Sequence, residues 1–372
     1  MKIGVLTSSR ADFGIYTPLL QILEKDPAFD LHIIAFGTHL SEKHGKTINE
    51  IEQFGYKNIH SVKTDVTDDT PLQVSRSYAH AVTKFTDFWN EHHYELVLTL
   101  GDRYEMNAAI QASIPFRVKL AHFHGGEQTL GAIDNIYRHQ ISLASQYHFT
   151  AADAFSNRLK EILENTSNIY TVGSMSLVGI EDGTKISEEE FRTKYDLGKN
   201  PFVLSTFHPE TNDFEANGHY VNEMKTILKG IDSTFNIVVT MPNADTNGAL
   251  YRDALKDLQN ELGDRLTLIE SFGKINYFAA LTYCDFVLGN SSSGIIEAAS
   301  FKKYVINVGD RQKGRLRSSN VIDVPFNAPQ TLEAIEKLVA SDRNFLGRNE
   351  YVKENTIGTV IDILRKIGNG EI

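Results

Sequence analysis

Short apolar runs that alternate with amphipathic stretches limit this chain to one fold class. In the first half "KIGVLTS", "LHIIAFG", "LVLTLGD", "KLAHFHG" and "QYHFTA" read as strands, and helical patterns lie between them at about 15–26, 43–54, 72–92, 104–114 and 134–145. A succession of β-α-β units predicts a parallel sheet with helices on both faces. Residues 176–200, "SLVGIEDGTKISEEEFRTKYDLGKN", are polar and charged and read as a connection. The alternation then restarts with "PFVLSTF", "FNIVVTM", "LTLIES", "DFVLGN" and "KYVINVG". These runs are rich in Val, Ile, Leu and Phe, as strands buried in a parallel sheet are. A last amphipathic helix is expected at "TIGTVIDILRKIGN". With 372 residues, two domains are favoured over one.

Composition narrows the partners. A formal charge of -11 argues against general binding to nucleic acid or anionic membrane, so a polyanion would have to meet local cations. The single cysteine, Cys284, rules out an intrachain disulfide framework and reads as a small buried residue more readily than as a nucleophile. No apolar run approaches the length of a membrane span, and "MKIGVLTSSR" opens as a strand rather than as a signal peptide. The expected location is the cytoplasm.

In open α/β sheets, ligands sit beyond the carboxyl ends of the strands. The loops there are loaded in both halves: "SSRADFG", "GDRYE" and "HGGE", then "HPET", "PNADTNG", "NSSSG" and "GDRQKGR". Two such domains facing each other across a cleft fit this distribution. "GNSSSGIIEAAS" (289–300) runs from a strand into a helix. Its small residues let a phosphate approach the backbone, its hydroxyls and helix-start N–H groups can bind oxyanions, and Glu297 suits ribose hydroxyls better than phosphate. The plainer alternative is an ordinary serine cap. Arg10, in the polar loop after strand one, and Arg311, Lys313 and Arg315 supply the cations a diphosphate requires, although Lys313 is equally readable as a solvated charge. There is no Walker loop and no GxGxxG fingerprint.

Asp102 is either a substrate-facing carboxylate or a helix cap, and Asp134, before "NIYRHQI", reads as a cap. His208 ends a strand, where an imidazole either touches phosphate, moves a proton or is structural. "HFHGGEQTLGAID" (122–134) is open to two readings. His122 and His124 share a strand face and could bind zinc together with Asp102 or Glu127. That reading leaves the phosphate-like features of the second half unexplained, whereas proton chemistry on a sugar nucleotide uses both halves. Phe85, Phe88 and Trp89, close together in 72–92, are either core or an interface.

Together "SSRADFG", "LGDRYE", "HFHGGEQTLGAID", "FHPET", "PNADTNG", "GNSSSGIIE" and "NVGDRQKGR", in order between about residues 2 and 325, resemble the hydrolysing UDP-N-acetylglucosamine 2-epimerases of bacterial sialic-acid and related nonulosonic-acid synthesis. The resemblance implies a glycosyltransferase-B-like fold of two Rossmann-like doubly wound domains, with a C-terminal helix crossing back. The expected division is 1–175 plus 352–372, and 176–351 as the UDP-binding domain. It implies elimination of UDP across C1–C2 to a 2-acetamidoglucal, then addition of water to give N-acetylmannosamine. No metal is expected, because the His-x-His pair is explained without one and arginines supply the cations a diphosphate needs, and no cofactor is expected. By motif position the resemblance puts Arg10, Arg103, Ser291, Ser292, Glu297 and Arg311 around UDP, and Asp102, Asp134 and His208 near the sugar and its phosphate. Relatives with "HIEGGE" carry a glutamate where this chain has His124, while Glu127 is shared. For the C2 base, Glu127 and Asp102 rank above His124. A homodimer or homotetramer is also implied. The competing readings are a sister enzyme acting on UDP-N,N′-diacetylbacillosamine, a UDP-sugar glycosyltransferase, a metal-dependent hydrolase and a non-catalytic sugar-nucleotide sensor.

Overall fold

The structure, a computed structural model, describes residues 1–42, 45–64, 70–210, 215–242 and 248–372, with the side chains of 182–184 excepted. Residues 243–247 of "PNADTNG", Thr211 of "HPET" and the start of the helix expected at 43–54 lie outside the described residues. Two compact units emerge. One comprises Met1–Glu127, Asp134–Val178 and Tyr351–Ile372, and the other Gln128–Ile133 and Gly179–Glu350.

The first unit is built on a sheet with seven strands: β1 (Lys2–Thr7), β2 (Asp30–Ala35), β3 (Asn58–Ser61), β4 (Leu96–Leu100), β5 (Leu120–Phe123), β6 (Tyr147–Thr150) and β7 (Ile169–Thr171). Their order is β3-β2-β1-β4-β5-β6-β7, and every pairing is parallel. Both faces are covered, as a parallel sheet requires. Ile3 and Val5 of β1 enter one apolar cluster, while Leu6 enters another on the opposite face. The second cluster also holds Phe85, Phe88 and Trp89, so those three aromatics are core. Trp89 donates its indole N–H to the Ala109 carbonyl at 2.9 Å.

The second unit repeats the plan with β8 (Phe202–Thr206), β9 (Asn236–Thr240), β10 (Leu266–Ile269), β11 (Phe286–Gly289), β12 (Val305–Val308) and β13 (Val321–Val324). The order is β10-β9-β8-β11-β12-β13, again parallel. The expected α/β architecture of two parallel sheets is therefore present. Among the described residues no helix is long and apolar enough to cross a membrane.

Three expectations change. The segment "SSRADFG" is not wholly loop, because the helix Arg10–Lys25 starts there. Asp12, three residues past Ser9, accepts the Ser9 N–H at 2.8 Å, and a carboxylate at that position stabilises a helix start. The stretch 176–200 is more than a connection. It contains the helix Glu188–Tyr195, capped by Ser187, and Phe191 is fully buried against Phe202 and Phe272. Strands β3, β7 and β13 were not anticipated. Cys284 is buried as expected, and burial pushes its thiol up to about 12.

The last helix, Thr356–Gly368, puts Val360, Ile361, Ile363 and Leu364 into the core beside β1, and Arg365 pairs with Asp26 at 2.7 Å. Leu364 is fully buried, so Leu364→Ala should cost about 2–5 kcal/mol. Trp89 is the single tryptophan and lies in the same unit, so its fluorescence reports on that unit alone. A urea titration should show a lower midpoint at an unchanged slope. An unshifted midpoint would mean that the helix does not support this core.

Candidate active site

In each sheet the chain winds outward from a central strand in both directions, and the crevice at that reversal is where α/β sheets bind ligands. The reversals fall between β1 and β4 and between β8 and β11. In the first unit this brings Arg10, just past β1, to the same edge as Asp102 and Arg103, just past β4. The turn after β1 is organised by Asp12, which is 4% exposed. It accepts the backbone N–H of Ser8 at 2.7 Å and of Ser9 at 2.8 Å, together with both serine hydroxyls at 3.0 and 2.8 Å. Arg10 pairs with Glu50 at 3.3 Å, and both side chains are half exposed. Arg103 is the residue that precedes the helix Tyr104–Ser113, so Asp102 is not its cap. Arg103 donates to buried Glu105 at 3.1 Å. Asp102 accepts from the buried guanidinium of Arg138. Asp134 is the first residue of the helix Asp134–Ala144, which also carries Arg138.

The two histidines at the end of β5, one within the strand and one just past it, differ sharply. His122 is fully buried, with Nδ1 3.0 Å from the Ser142 hydroxyl and Nε2 2.8 Å from the Gly101 carbonyl. A carbonyl only accepts, so Nε2 carries hydrogen and Nδ1 takes the serine proton, leaving no lone pair for a metal. Burial lowers its pKa to about 3. His124 follows in the left-handed region, φ 65°. Its Nδ1 lies 2.7 Å from Glu127 Oε1, and both residues are buried.

The chain from Gln128 to Ile133 belongs with the second unit. There the Leu130 N–H donates to the Lys313 carbonyl at 2.8 Å. A Cβ on Gly131 would stand 2.1 Å from the Asp310 carbonyl oxygen, so only glycine permits this approach. The segment thus lies on the loop "GDRQKGR".

In the second unit the two strand ends at the reversal are locked together. Asn290 accepts the His208 N–H at 2.7 Å and donates to the His208 carbonyl at 2.9 Å. Its own carbonyl accepts from Arg311 at 3.2 Å and from Gln312 at 2.9 Å. Glu210, 5% exposed, accepts the backbone N–H groups of Asp310 at 2.8 Å and Arg311 at 3.2 Å. His208, Ser291, Ser292 and Arg311 therefore share one edge. Ser291 caps the helix Ser292–Ile296. That helix has five residues, so its dipole is slight, and oxyanion binding here would rest on hydroxyls and N–H groups. Glu297 accepts from the Ser293 hydroxyl at 2.7 Å, which also meets the Tyr277 hydroxyl at 2.5 Å. Lys313 pairs with Asp310 at 3.2 Å with both side chains well exposed, the solvated-loop alternative. Sequence reasoning passed over Asp12, Arg138, Glu210, Asn290 and Ser293. Asp12, Glu210, Asn290 and Ser293 stood within its quoted motifs, but nothing in residue type shows which side chain faces the backbone.

Arg138 is 2% exposed, so its charge depends on nearby acceptors. Asp102→Asn removes the anion it faces and should destabilise the first unit by about 1–3 kcal/mol, read as a lower urea midpoint of Trp89 fluorescence. Wild-type stability in this variant would show that the pair does not support the fold.

Comparison with known proteins gives the family. Residues 21–365 match the model described as UDP-N-acetylglucosamine 2-epimerase. The chain is 30% identical to "Polysialic acid biosynthesis protein P7" of Escherichia coli over 372 aligned positions, covering 98% of this chain and 93% of that one. It is 33% identical to "GDP/UDP-N,N′-diacetylbacillosamine 2-epimerase (hydrolyzing)" of Campylobacter jejuni, covering 92% and 88%. Among solved structures, UDP-GlcNAc 2-epimerase from Neisseria meningitidis bound to UDP-GlcNAc superposes with a TM-score of 0.83 at 17% identity, over 98% of this chain and all of that one. The chain belongs to the UDP-N-acetylglucosamine 2-epimerase family.

Proposed function

We propose that this protein is a hydrolysing UDP-N-acetylglucosamine 2-epimerase, which eliminates UDP across C1–C2 and hydrates the resulting 2-acetamidoglucal to free N-acetylmannosamine. The observation that carries the reading is the second unit's edge, where Ser291, Ser292 and Arg311 stand together on strand ends tied by Asn290 and Glu210. In this reading those three residues hold the diphosphate, with Arg10 and Arg103 adding positive charge. Glu297 takes the ribose. Stabilising the leaving diphosphate is half of the reaction, because charge develops there as C1–O breaks.

The other half is removal of a weakly acidic C2 proton, which needs a positioned base. The first unit supplies Asp102, Asp134, His124 and Glu127, and His208 stands by the phosphate. No metal or cofactor enters this scheme, and His122, with both nitrogens committed, does not support the zinc alternative. The hydrolysing direction and the link to sialic-acid-type synthesis are supported by the names of the Escherichia coli and Campylobacter jejuni relatives. A homodimer or homotetramer in the cytoplasm accompanies this reading.

A second substrate has a specific observation behind it. The 33% identity to the Campylobacter jejuni enzyme favours UDP-N,N′-diacetylbacillosamine, which differs at C4 and C6 of the sugar. Incubation with each UDP-sugar, followed by NMR of the products, decides between them. The reading expects UDP plus a free sugar inverted at C2, and a UDP-linked epimer as the only product would instead mark a non-hydrolysing enzyme. Arg311→Ala should weaken UDP binding by about one to two decades, since a charge-assisted hydrogen bond contributes roughly 1.5–3 kcal/mol. Calorimetric titration with UDP measures this, and an unchanged affinity would remove Arg311 from the diphosphate site.

A further inference from the structure

We infer that His124 takes the C2 proton and that Glu127 is the carboxylate that positions and prepares it. This deepens the 2-epimerase reading above and rests on it. Glu127 Oε1 stands 2.7 Å from His124 Nδ1. An ionised carboxylate can only accept, so Nδ1 carries the hydrogen, and the neutral ring keeps its lone pair on Nε2. That Nε2 is buried and meets no hydrogen-bond partner among the described residues. His122, two positions earlier, shows what a purely structural imidazole does in this place, with both nitrogens engaged by Ser142 and Gly101. His124 has one nitrogen oriented by a carboxylate and the other unspent, the arrangement of a general base with its orienting acid.

The surroundings fit the role. The side chain retains 11% of its surface while Nε2 itself is buried, so most water is excluded from the nitrogen. The left-handed backbone, φ 65°, is a conformation that side chains seldom adopt. It is held by the His124 N–H donating to the Phe149 carbonyl at 3.0 Å. His122 lies within Coulombic range of the ring, and burial keeps it neutral. Asp102, the competing carboxylate, already spends an oxygen on buried Arg138.

In the step assigned here, Nε2 accepts the C2 proton and the C2–H electron pair becomes the C1=C2 bond. The C1–O pair leaves with UDP, and the imidazolium faces the Glu127 carboxylate. Water then supplies hydroxyl to C1, while C2 is protonated on its other face by a different group that takes the second water hydrogen. The imidazolium later returns its proton to solvent, so UDP-sugar and water become free sugar, UDP and a proton. Glu127 touches the ring and not the substrate, and is a positioning residue.

His124→Asn suits the test, because asparagine tolerates the left-handed backbone. UDP release from the UDP-sugar substrate should fall by about 10²–10⁴-fold, with UDP affinity unchanged by calorimetry. In Glu127→Gln a neutral amide faces the ring, so the imidazolium is less favoured and the base is free at lower pH. The acid limb of the kcat/KM profile should therefore move to lower pH. A residue that merely shaped the loop would slow the enzyme without moving that limb. Release by His124→Asn within about tenfold of wild type, or an acid limb that stays in place in Glu127→Gln, overturns the assignment. Wild type separates the two levels: if it releases UDP while His124→Asn keeps pace, only the dyad fails. If it is inert toward both UDP-sugars, the enzymatic reading fails and the dyad with it.

Discussion

Backbone N–H groups turned toward a buried carboxylate hold the edge of each sheet in this protein. A parallel sheet covered on both faces leaves its strand-end loops as the place where polar groups collect, and their N–H groups must be satisfied. In the first unit Asp12 satisfies Ser8 and Ser9, and in the second Glu210 satisfies Asp310 and Arg311. Both carboxylates are almost fully buried, and a buried anion is tolerated when several donors converge on it. The candidate groups inherit their positions from these anchors. Arg10 begins the helix whose start Asp12 stabilises, and Arg311 sits on the loop that Glu210 holds.

The candidate residues of the two units also differ in type. The second unit gathers hydroxyls, N–H groups and an arginine around strand ends, which suits a diphosphate. The first gathers a carboxylate–imidazole pair and a carboxylate–guanidinium pair, and these pairs differ in what they leave free. Arg138 and Asp102 neutralise each other, whereas Glu127 orients His124 and leaves Nε2 unspent. An imidazole stands in this chain where "HIEGGE" relatives carry a carboxylate, and the neighbouring Glu127 offers a way for it to serve.

Most of the architecture was legible because strands buried on both faces are written as dense runs of Val, Ile, Leu and Phe. Strands β1, β2, β4, β8, β9 and β11 all announced themselves in this way. The edge strands β3, β7 and β13 did not, since "NIHS", "IYT" and "VIDV" are at most partly buried. The start of the helix at Arg10 was obscured because "SSRAD" has loop-like composition until the Asp12 bonds are seen. Within each unit, residue types and order pointed to loops at the strand ends, and the fold brings those loops to one edge of the sheet. Pairing did not follow from them: that Arg138 faces Asp102 from 36 positions away, and that His124 and Glu127 form a pair, is visible only in the fold. Distances between loops that meet only in the fold are not encoded in local composition.

The proposed reaction breaks the C2–H bond during turnover, and deuterium reports on it directly. Wild-type enzyme should be run to completion with its UDP-sugar in heavy water and the released sugar examined by NMR. The expected product is a 2-epimer carrying one deuterium at C2, with UDP as the other product. A released sugar that keeps its original C2 proton and configuration would show plain hydrolysis of the C1–O bond and would contradict the proposed elimination.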